Sequence, residues 1–249
     1  MNNISIITFS PTGQSKACVL SVARATKKPY TERDVTQPLM RSQPLYCEDS
    51  LILLGFPVYG GRVPTLFSAY LKDHLTCKNC KAVAVATYGN RAYDDALVEI
   101  EDLLMEKGVP LVGCAAMVCQ HSYTDKVGEH RPDILDFQLL DQLAVSLEHA
   151  DDAVHPAGNR PYKKSMVLAT PSYMPVLTES LCNQCMQCAD VCPTGALQAK
   201  DSNLCIHCCA CIKVCTHKAL RMEDPRFFGT VQNLETFCRE RQNSELFLA

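Results

Sequence analysis

The chain of 249 residues contains no tryptophan, and aromatic residues make up 7% of it. Any ring stacking must therefore fall to tyrosine or phenylalanine. Neither sign of charge dominates, since 24 Lys and Arg against 27 Asp and Glu leave a formal net charge of −3. No basic cluster is long enough for a nucleic-acid footprint, which excludes that partner. No apolar run approaches the roughly 18 residues that a membrane span needs. Met1-Asn2-Asn3 ahead of Ile4 lacks the basic and apolar regions of a signal peptide, so a cytoplasmic protein is expected. No G-x-G-x-x-G follows a strand and no G-x-x-x-x-G-K occurs. A Rossmann-type nicotinamide site and a nucleotide-hydrolysing P-loop are thereby excluded.

Cysteine, by contrast, is abundant, at 16 residues. Eight of them form two runs, Cys182-x2-Cys185-x2-Cys188-x3-Cys192-Pro193 and Cys205-x2-Cys208-x2-Cys211-x3-Cys215. This is the bacterial ferredoxin spacing for two [4Fe–4S] clusters. Three thiolates in such a run wrap one corner of a cubane, and the fourth is too far round the loop to join them. The spacing therefore predicts crossed ligation. Cys182, Cys185, Cys188 and Cys215 are expected to hold cluster I, and Cys205, Cys208, Cys211 and Cys192 cluster II. Cluster thiolates would make the loaded protein more acidic, which suits a basic redox partner. The other cysteines are Cys18, Cys47, Cys77, Cys80, Cys114, Cys119, Cys209 and Cys238. So many free thiols imply a reducing compartment.

The two runs are an internal repeat with a shift of 23 residues, Leu181-Cys182 aligning with Leu204-Cys205 and Ala196-Leu197 with Ala219-Leu220. One departure is that Pro193 follows the first run and Thr216 the second. Proline fixes φ at the next turn, whereas threonine can cap it, so the second turn is expected to survive with altered donors.

Residues 1–150 alternate apolar strands (4–9, weakly 30–35, then 51–56, 82–87 and 111–118) with helical patterns (15–26, 64–75, 93–107 and 132–150). Leu135, Leu139, Leu143 and Leu147 read as a stripe facing a core. The alternation predicts an α/β fold with a parallel sheet covered on both faces. Residues 151–178, with Pro156, Gly158, Pro161, Pro171 and Pro175, read as an extended connector, with Tyr162, Val167, Leu168, Tyr173 and Val176 lying along a surface. Residues 179–224 are the expected ferredoxin domain. Residues 225–249 are expected to form a helical tail, with Val231, Leu234 and Cys238 at helical spacing and Phe237 alongside.

The first strand runs into Ser10-Pro11-Thr12-Gly13-Gln14-Ser15 and then a helix. Hydroxyls at the first, third and sixth positions with glycine fourth resemble the flavodoxin phosphate loop. Orphan N–H groups and the helix dipole favour a phosphate there. Two further segments fall at the carboxyl ends of strands, where flavodoxin-like sheets of order 2-1-3-4-5 hold a flavin. They are Pro57-Val58-Tyr59-Gly60-Gly61 and Thr87-Tyr88-Gly89-Asn90, with Tyr93 following. Tyr59 and Tyr88 would stack on the flavin from opposite sides.

Tyr59-Gly-Gly-Arg-Val-Pro64, Gly89-Asn-Arg-x-Tyr-Asp-Asp95, His121-Ser-Tyr123, Arg131-Pro-Asp133 and Gly158-Asn-Arg-Pro-Tyr162 complete the pattern. With the cysteine runs, they resemble the EFR1-type flavodoxin–ferredoxin fusion family over nearly the whole chain. The resemblance implies a flavodoxin-like doubly wound sheet of five strands, a small α+β ferredoxin domain, FMN and two [4Fe–4S] clusters. It implies electron transfer between clusters and FMN in anaerobic-type metabolism, with a protein redox partner as donor or acceptor. Two alternatives stay open: an FMN-dependent reductase of a small organic substrate, and an electron-transfer subunit of a larger complex. A small-molecule acceptor and a homodimer are also left open. Arg62 and His121 are the candidate catalytic residues, as anion anchor and proton donor. Each has a plainer reading, as a loop-holding arginine and a histidine bonded to backbone. Cys209 reads as a small residue packed beside a cluster, and Cys77-Lys-Asn-Cys80 as a polar turn.

Overall fold

The computed structural model describes residues 1, 3–148, 150–163 and 172–248. Its main sheet is built from β1 (Asn3–Thr8), β2 (Tyr30–Asp34), β4 (Ser50–Pro57), β6 (Lys81–Tyr88), β7 (Leu111–Val118) and β10 (Glu245–Leu248). The six strands run in the order β10-β7-β6-β4-β1-β2. All neighbours are parallel except β10, which pairs antiparallel with β7, Glu245 opposite Ala116.

Parallel strands carry helices on both faces and are therefore apolar throughout. Seven of the eight residues of β4 and all of β7 are buried. Side chains alternate between two cores. Ile52, Leu54 and Phe56 face α3 (Thr65–His74) and α4 (Ala96–Glu106), against Phe67, Leu97 and Ile100. Leu51 and Leu53 face α1 (Gln14–Ala25) and α5 (Ile134–Ser146), against Val19, Val22, Leu140 and Leu143. Each fully buried large aliphatic contributes about 1.5–3 kcal/mol by leaving water.

The leucine stripe on α5 is corrected by the structure. Its buried residues are Asp136, Leu140, Leu143 and Ala144, whereas Leu135 is 58% exposed. An α-helix has 3.6 residues per turn, so steps of four drift around the cylinder and carry the first leucine into solvent. Three short elements lack a strong sequence signal: α2 (Pro38–Arg41) and the parallel pair β3 (Leu45–Glu48) and β5 (Leu75–Lys78). The latter pair sets Cys47 opposite Cys77.

Of the expected connector, residues 164–171, including Val167 and Leu168, lie outside the described residues. The part before them lies on α4. Arg160 pairs with Asp102 at 2.7 Å and Glu101 at 2.9 Å, Tyr162 donates to Asp102, and the Asn159 N–H reaches Asp95 at 2.8 Å.

The cysteine region is small and mostly turns. It contains β8 (Val176–Leu177) paired antiparallel with β9 (Leu220–Arg221), and the single-turn helices α6 (Gln187–Asp190), α7 (Ala196–Ala199) and α8 (Ala210–Val214). Helix α9 (Pro225–Phe237) follows, capped by Asp224, with Phe227 and Leu234 buried. The tail is helical only to Phe237, itself 80% exposed, and the chain then returns to the sheet as β10. The expectations of a wholly helical tail and of a five-stranded sheet are corrected together. Residues 245–248 supply a sixth strand that covers the β7 edge, where unpaired backbone groups would otherwise be open.

Candidate functional site

Each cysteine run is shaped by residues in the left-handed region. Gln184 and Met186 in the first run (φ 59° and 61°) match His207 and Cys209 in the second (φ 54° and 60°). Successive backbone N–H groups in such turns point to one side and form an anion nest. The turn after each run also repeats, with Gly195 at φ 72° and Lys218 at φ 52°. Thr216 therefore does not break the second turn, where the Ala219 N–H reaches the Cys215 sulfur at 3.3 Å.

Cys192, Cys205, Cys208, Cys209 and Cys211 line one cavity, with Pro193, Thr194, Ile206 and Met222 among its walls. Cys192 comes from the first run and Cys205, Cys208 and Cys211 from the spaced positions of the second, with Cys209 between them. Burial pushes the Cys208 and Cys211 thiols up to about 12. Burial acts the same way on Cys192, but N–H groups of Leu197, Thr194 and Ala196 and the Thr194 hydroxyl outweigh it and hold that thiol below its ordinary value. Buried thiols that resist ionisation alone, yet face a shared cavity ringed with N–H donors, suit a cationic iron core that draws them out as thiolates. Among the described residues, no three His, Cys, Asp or Glu side chains are grouped to hold a single metal ion.

The other four cysteines are nearer solvent. Cys185 is exposed, and Cys182, Cys188 and Cys215 are partly buried. Burial raises the Cys188 thiol, and Cys215 and Cys182 raise it further by like charge. Cys215 thus faces the first run.

On the sheet, the 10–15 loop turns at Gly13, whose φ of 82° is one that glycine adopts without strain. Gly13, at the N-cap of α1, brings no side-chain cap, and the first turn carries no acidic residue. The positive end of the helix dipole therefore faces the loop, and of the first-turn N–H groups that of Lys16 is taken by Ser10. The Ser10 hydroxyl accepts the Lys16 N–H at 3.1 Å and keeps its own hydrogen to donate, while the Ser10 N–H donates to Thr36 Oγ1 at 2.8 Å. Ser15 departs from its expected place facing a phosphate. Its hydroxyl is buried, 2.6 Å from Thr87 Oγ1, and ties α1 to β6.

Tyr59 and Arg62 exchange both backbone hydrogen bonds across Gly60 and Gly61, at φ 59° and 82°. Two consecutive left-handed residues make a type I′ turn, which glycine pairs favour. A Cβ on Gly61 would strike the Asp94 side chain, so this turn sits tightly against the loop after β6. Burial holds the Tyr59 hydroxyl well above its ordinary value, with Cys208, Tyr123 and Cys209 acting in the same direction. The Tyr59 turn therefore lies beside the second cysteine run.

The loop after β6 is differently employed than expected. Tyr88 is 6% exposed and its hydroxyl donates to Asn243 O at 3.2 Å. Tyr93 packs edge-on to Tyr88 and Phe247 and donates to Glu245 at 2.8 Å. Asn90 donates to the carbonyls of Cys238 and Glu240 at 2.7 and 2.8 Å and accepts the Gln242 N–H at 3.0 Å. Gly89 lies against His121, whose ring a Cβ would overlap. Tyr88, Asn90 and Tyr93 are thus engaged by the returning tail, and the expected second stacking ring is corrected.

Arg62 turns toward α4, bonding both Glu99 oxygens at 2.7 and 2.9 Å and lying 4.5 Å over the Tyr162 ring. It holds the loop and the connector together. Burial lowers His121 to about 4, with Lys213 and Arg91 adding to the effect. Its ring is neutral at neutral pH, and Nδ1 accepts the Tyr123 N–H at 3.1 Å. Both take the plainer of their two sequence readings. Cys209 is 3% exposed and packs with Met222 and Phe227. The sulfur of Cys80 reaches Cys47 O at 3.3 Å, and burial pushes Cys77 up to about 12, so this C-x-x-C is not a reactive pair.

Sequence reading missed how the two units meet. Ile206 packs on the sheet's core and Arg41 donates to Pro193 O. The Tyr123 ring packs tilted against Phe227 with centroids 4.8 Å apart, and Thr124 Oγ1 reaches Glu235 at 2.6 Å. Only the aromatic residues after β7 carried any signal of this, as apolar side chains in a loop.

A family described as a 4Fe-4S binding domain, Fer4, matches residues 175–198, which enclose the first cysteine run. No curated protein matches the chain. Among solved structures, a Streptococcus pneumonia TIGR4 flavodoxin is 15% identical with a TM-score of 0.40, covering 59% of this chain and 97% of that one. An azoreductase from Bacillus anthracis str. Sterne is 10% identical with a TM-score of 0.42, covering 58% of this chain and 99% of that one. Rubredoxin oxygen:oxidoreductase from the anaerobe Desulfovibrio gigas is 11% identical with a TM-score of 0.37, covering 58% of this chain. This chain spans 35% of that oxidoreductase's length.

Proposed function

We propose that the protein is an iron–sulfur flavoprotein of the flavodoxin–ferredoxin fusion type, which passes electrons between two [4Fe–4S] clusters and FMN. The observation that carries this reading is the shared cavity of Cys192, Cys205, Cys208 and Cys211, lying beside the Tyr59 turn. When bound, the clusters exchange single electrons and the flavin one or two, so the pair links one-electron carriers to two-electron chemistry.

The chain's own residues would divide the work as follows. Ser10, Thr12, Gly13, Gln14 and the α1 dipole would hold the phosphate, with Ser15 and Thr87 bracing the loop. Pro57, Val58, Tyr59, Gly60 and Gly61 would bound the ring system, and Tyr59 alone would stack, since Tyr88 is committed to the tail. Cys192, Cys205, Cys208 and Cys211 would ligate an inner cluster. Cys182, Cys185, Cys188 and Cys215 would ligate an outer one. Nearby N–H donors stabilise thiolate charge and so raise cluster potentials.

The outer site supports a protein partner. In the segment that carries Cys182 and Cys185, Val176, Leu177, Leu181 and Met186 are 42%, 46%, 49% and 57% exposed. Glu179 and Asp190 are the charged residues of the stretch 172–199, which has no lysine or arginine. An exposed apolar patch whose own stretch carries only acidic charge, with Arg221, opposite Val176, paired to Glu223, fits a redox protein partner. No helix among the described residues is long and apolar enough to cross a membrane.

The test is anaerobic purification, analysis of iron, sulfide and FMN, and redox titration followed by absorbance and electron spin resonance. Iron for two cubanes plus one flavin per chain, all reducible, is the expected result. A chain that binds the clusters but no FMN would overturn the reading.

A further inference from the structure

Arg41 ends α2 on the sheet's side of the molecule and is half-buried. Its guanidinium donates to Val35 O at 2.9 Å, and to the carbonyls of Thr36 and Pro193. It also lies 5.8 Å over the Phe9 ring. All three acceptors are neutral. Among the described residues no carboxylate pairs with it, and burial is the one influence that lowers its pKa. A guanidinium keeps its proton regardless. Withdrawing such a charge from water with only carbonyls for company is costly, and a nearby anion offsets that cost.

The placement of Pro193 indicates where the anion belongs. Pro193 follows Cys192, and both line the cavity with Cys205, Cys208 and Cys211. Arg41 makes no hydrogen bond to residues 10–15, so the phosphate loop is the weaker claimant, although Thr36 supports Ser10 from behind. A group bound by four thiolates becomes one charge more negative on reduction. A fixed cation in a partly water-free setting favours that change, and more so the closer it lies. Cys182, Cys185 and Cys188 lie in a stretch, 172–199, that lacks lysine and arginine, and the cations near Cys215, Lys213 and Lys218, are exposed, so water screens them.

We propose that Arg41 raises the reduction potential of the inner cluster, held by Cys192, Cys205, Cys208 and Cys211, above that of the outer one. The sheet unit thereby biases electrons toward the Tyr59 turn. The step is a one-electron exchange: the outer site is oxidised by one and the inner reduced by one, with no bond broken and no proton moved. The initial reductant is a one-electron protein donor. This inference rests on the two-cluster reading given above.

The experiment compares wild type, Arg41→Gln and Arg41→Lys as anaerobic holoproteins. Both cluster potentials are read by redox titration with electron spin resonance, and FMN content is measured alongside. Glutamine keeps donors for the carbonyls but removes the charge. It should lower the inner potential alone, by about 59 mV, the one-electron equivalent of a tenfold change in the reduction equilibrium. Lysine should retain most of the wild-type value. Equal shifts in both clusters, an equal loss with lysine, or weakened FMN with unmoved potentials would overturn the proposal. If Arg41→Gln does not accumulate with both clusters, Arg41→His is titrated instead. Its inner potential should fall between about pH 5 and 8 as the imidazole loses its charge, and a flat inner potential overturns the proposal. A wild type with fewer than two clusters would instead bring down the reading beneath it.

Discussion

Asn90 holds Cys238 by its side chain: the amide nitrogen lies 2.7 Å from the Cys238 carbonyl, 148 residues along the chain. The same side chain also bonds Glu240 O and the Gln242 N–H, and it is 2% exposed. Asn90→Ala removes three partly buried hydrogen bonds and should cost about 2–4 kcal/mol. Denaturant unfolding of the anaerobic protein measures it, and limited trypsin digestion should cut sooner at Arg239 and Arg241. An unchanged midpoint would show that the tail is held elsewhere.

A second anchor of the tail titrates. Arg131 and Asp136 form a two-pronged pair, their side chains 3% and 2% exposed, which also engages Ser244. Burial pushes the Asp136 carboxyl up, but Arg131, Ser244 and the Asp133 N–H outweigh it and hold it below its ordinary value. A depressed folded-state value means the unfolded chain takes up protons first. The stabilisation is therefore complete above the ordinary carboxylate value near 4 and drains away as pH falls through the folded one. Asp136→Asn should cost about 3–5 kcal/mol at neutral pH, because it takes the near counter-charge from buried Arg131 and leaves it only Asp133 at 3.7 Å. Stability measured from pH 7 down to 2 should show the variant losing less than wild type below pH 4.

Crossed ligation can be separated from loss of folding. Cys215→Ala should damage the outer site of Cys182, Cys185 and Cys188 and spare the inner one. Cys192→Ala should do the reverse, although each cysteine lies in the other run. Iron analysis with electron spin resonance of each variant decides the matter. Loss of the cluster belonging to the mutated residue's own run would refute the crossing.

The phosphate loop makes its own prediction. Thr12→Val keeps the shape of the side chain and removes a hydroxyl, so FMN affinity should fall by about tenfold, or about 1.4 kcal/mol, within the range of a hydrogen bond to a charged group. Fluorescence titration of flavin into deflavinated protein gives the affinity, with iron content unchanged as the control. Parallel loss of iron would indicate misfolding.

The parallel strands were legible because buried strands are apolar end to end, as 51–56 and 111–118 are. That Cys192 lines one cavity with Cys205, Cys208 and Cys211 accords with the repeated spacing of the two runs, a signal that acts over a few residues. What stayed hidden depends on distant partners. Glu245-Leu246-Phe247-Leu248 is too short to announce a strand, and its partner β7 is fixed by the fold. Tyr88 and Tyr93 sit among glycine and asparagine at the carboxyl end of a strand and so read as flavin-site residues, yet the tail covers them. Arg41 meets Pro193 across 152 residues, and nothing near Arg41 in the chain marks that meeting.

The return of β10 has a mechanical consequence. The cysteine-bearing unit leaves the sheet through a segment fastened to α4 by Asn159, Arg160 and Tyr162, and comes back through one fastened by Asn90 and Arg131. A body on one tether can sweep a cone in any direction. One fastened at both ends, with Ile206, Tyr123 and Thr124 packed between the two units, meets the sheet in one fixed orientation.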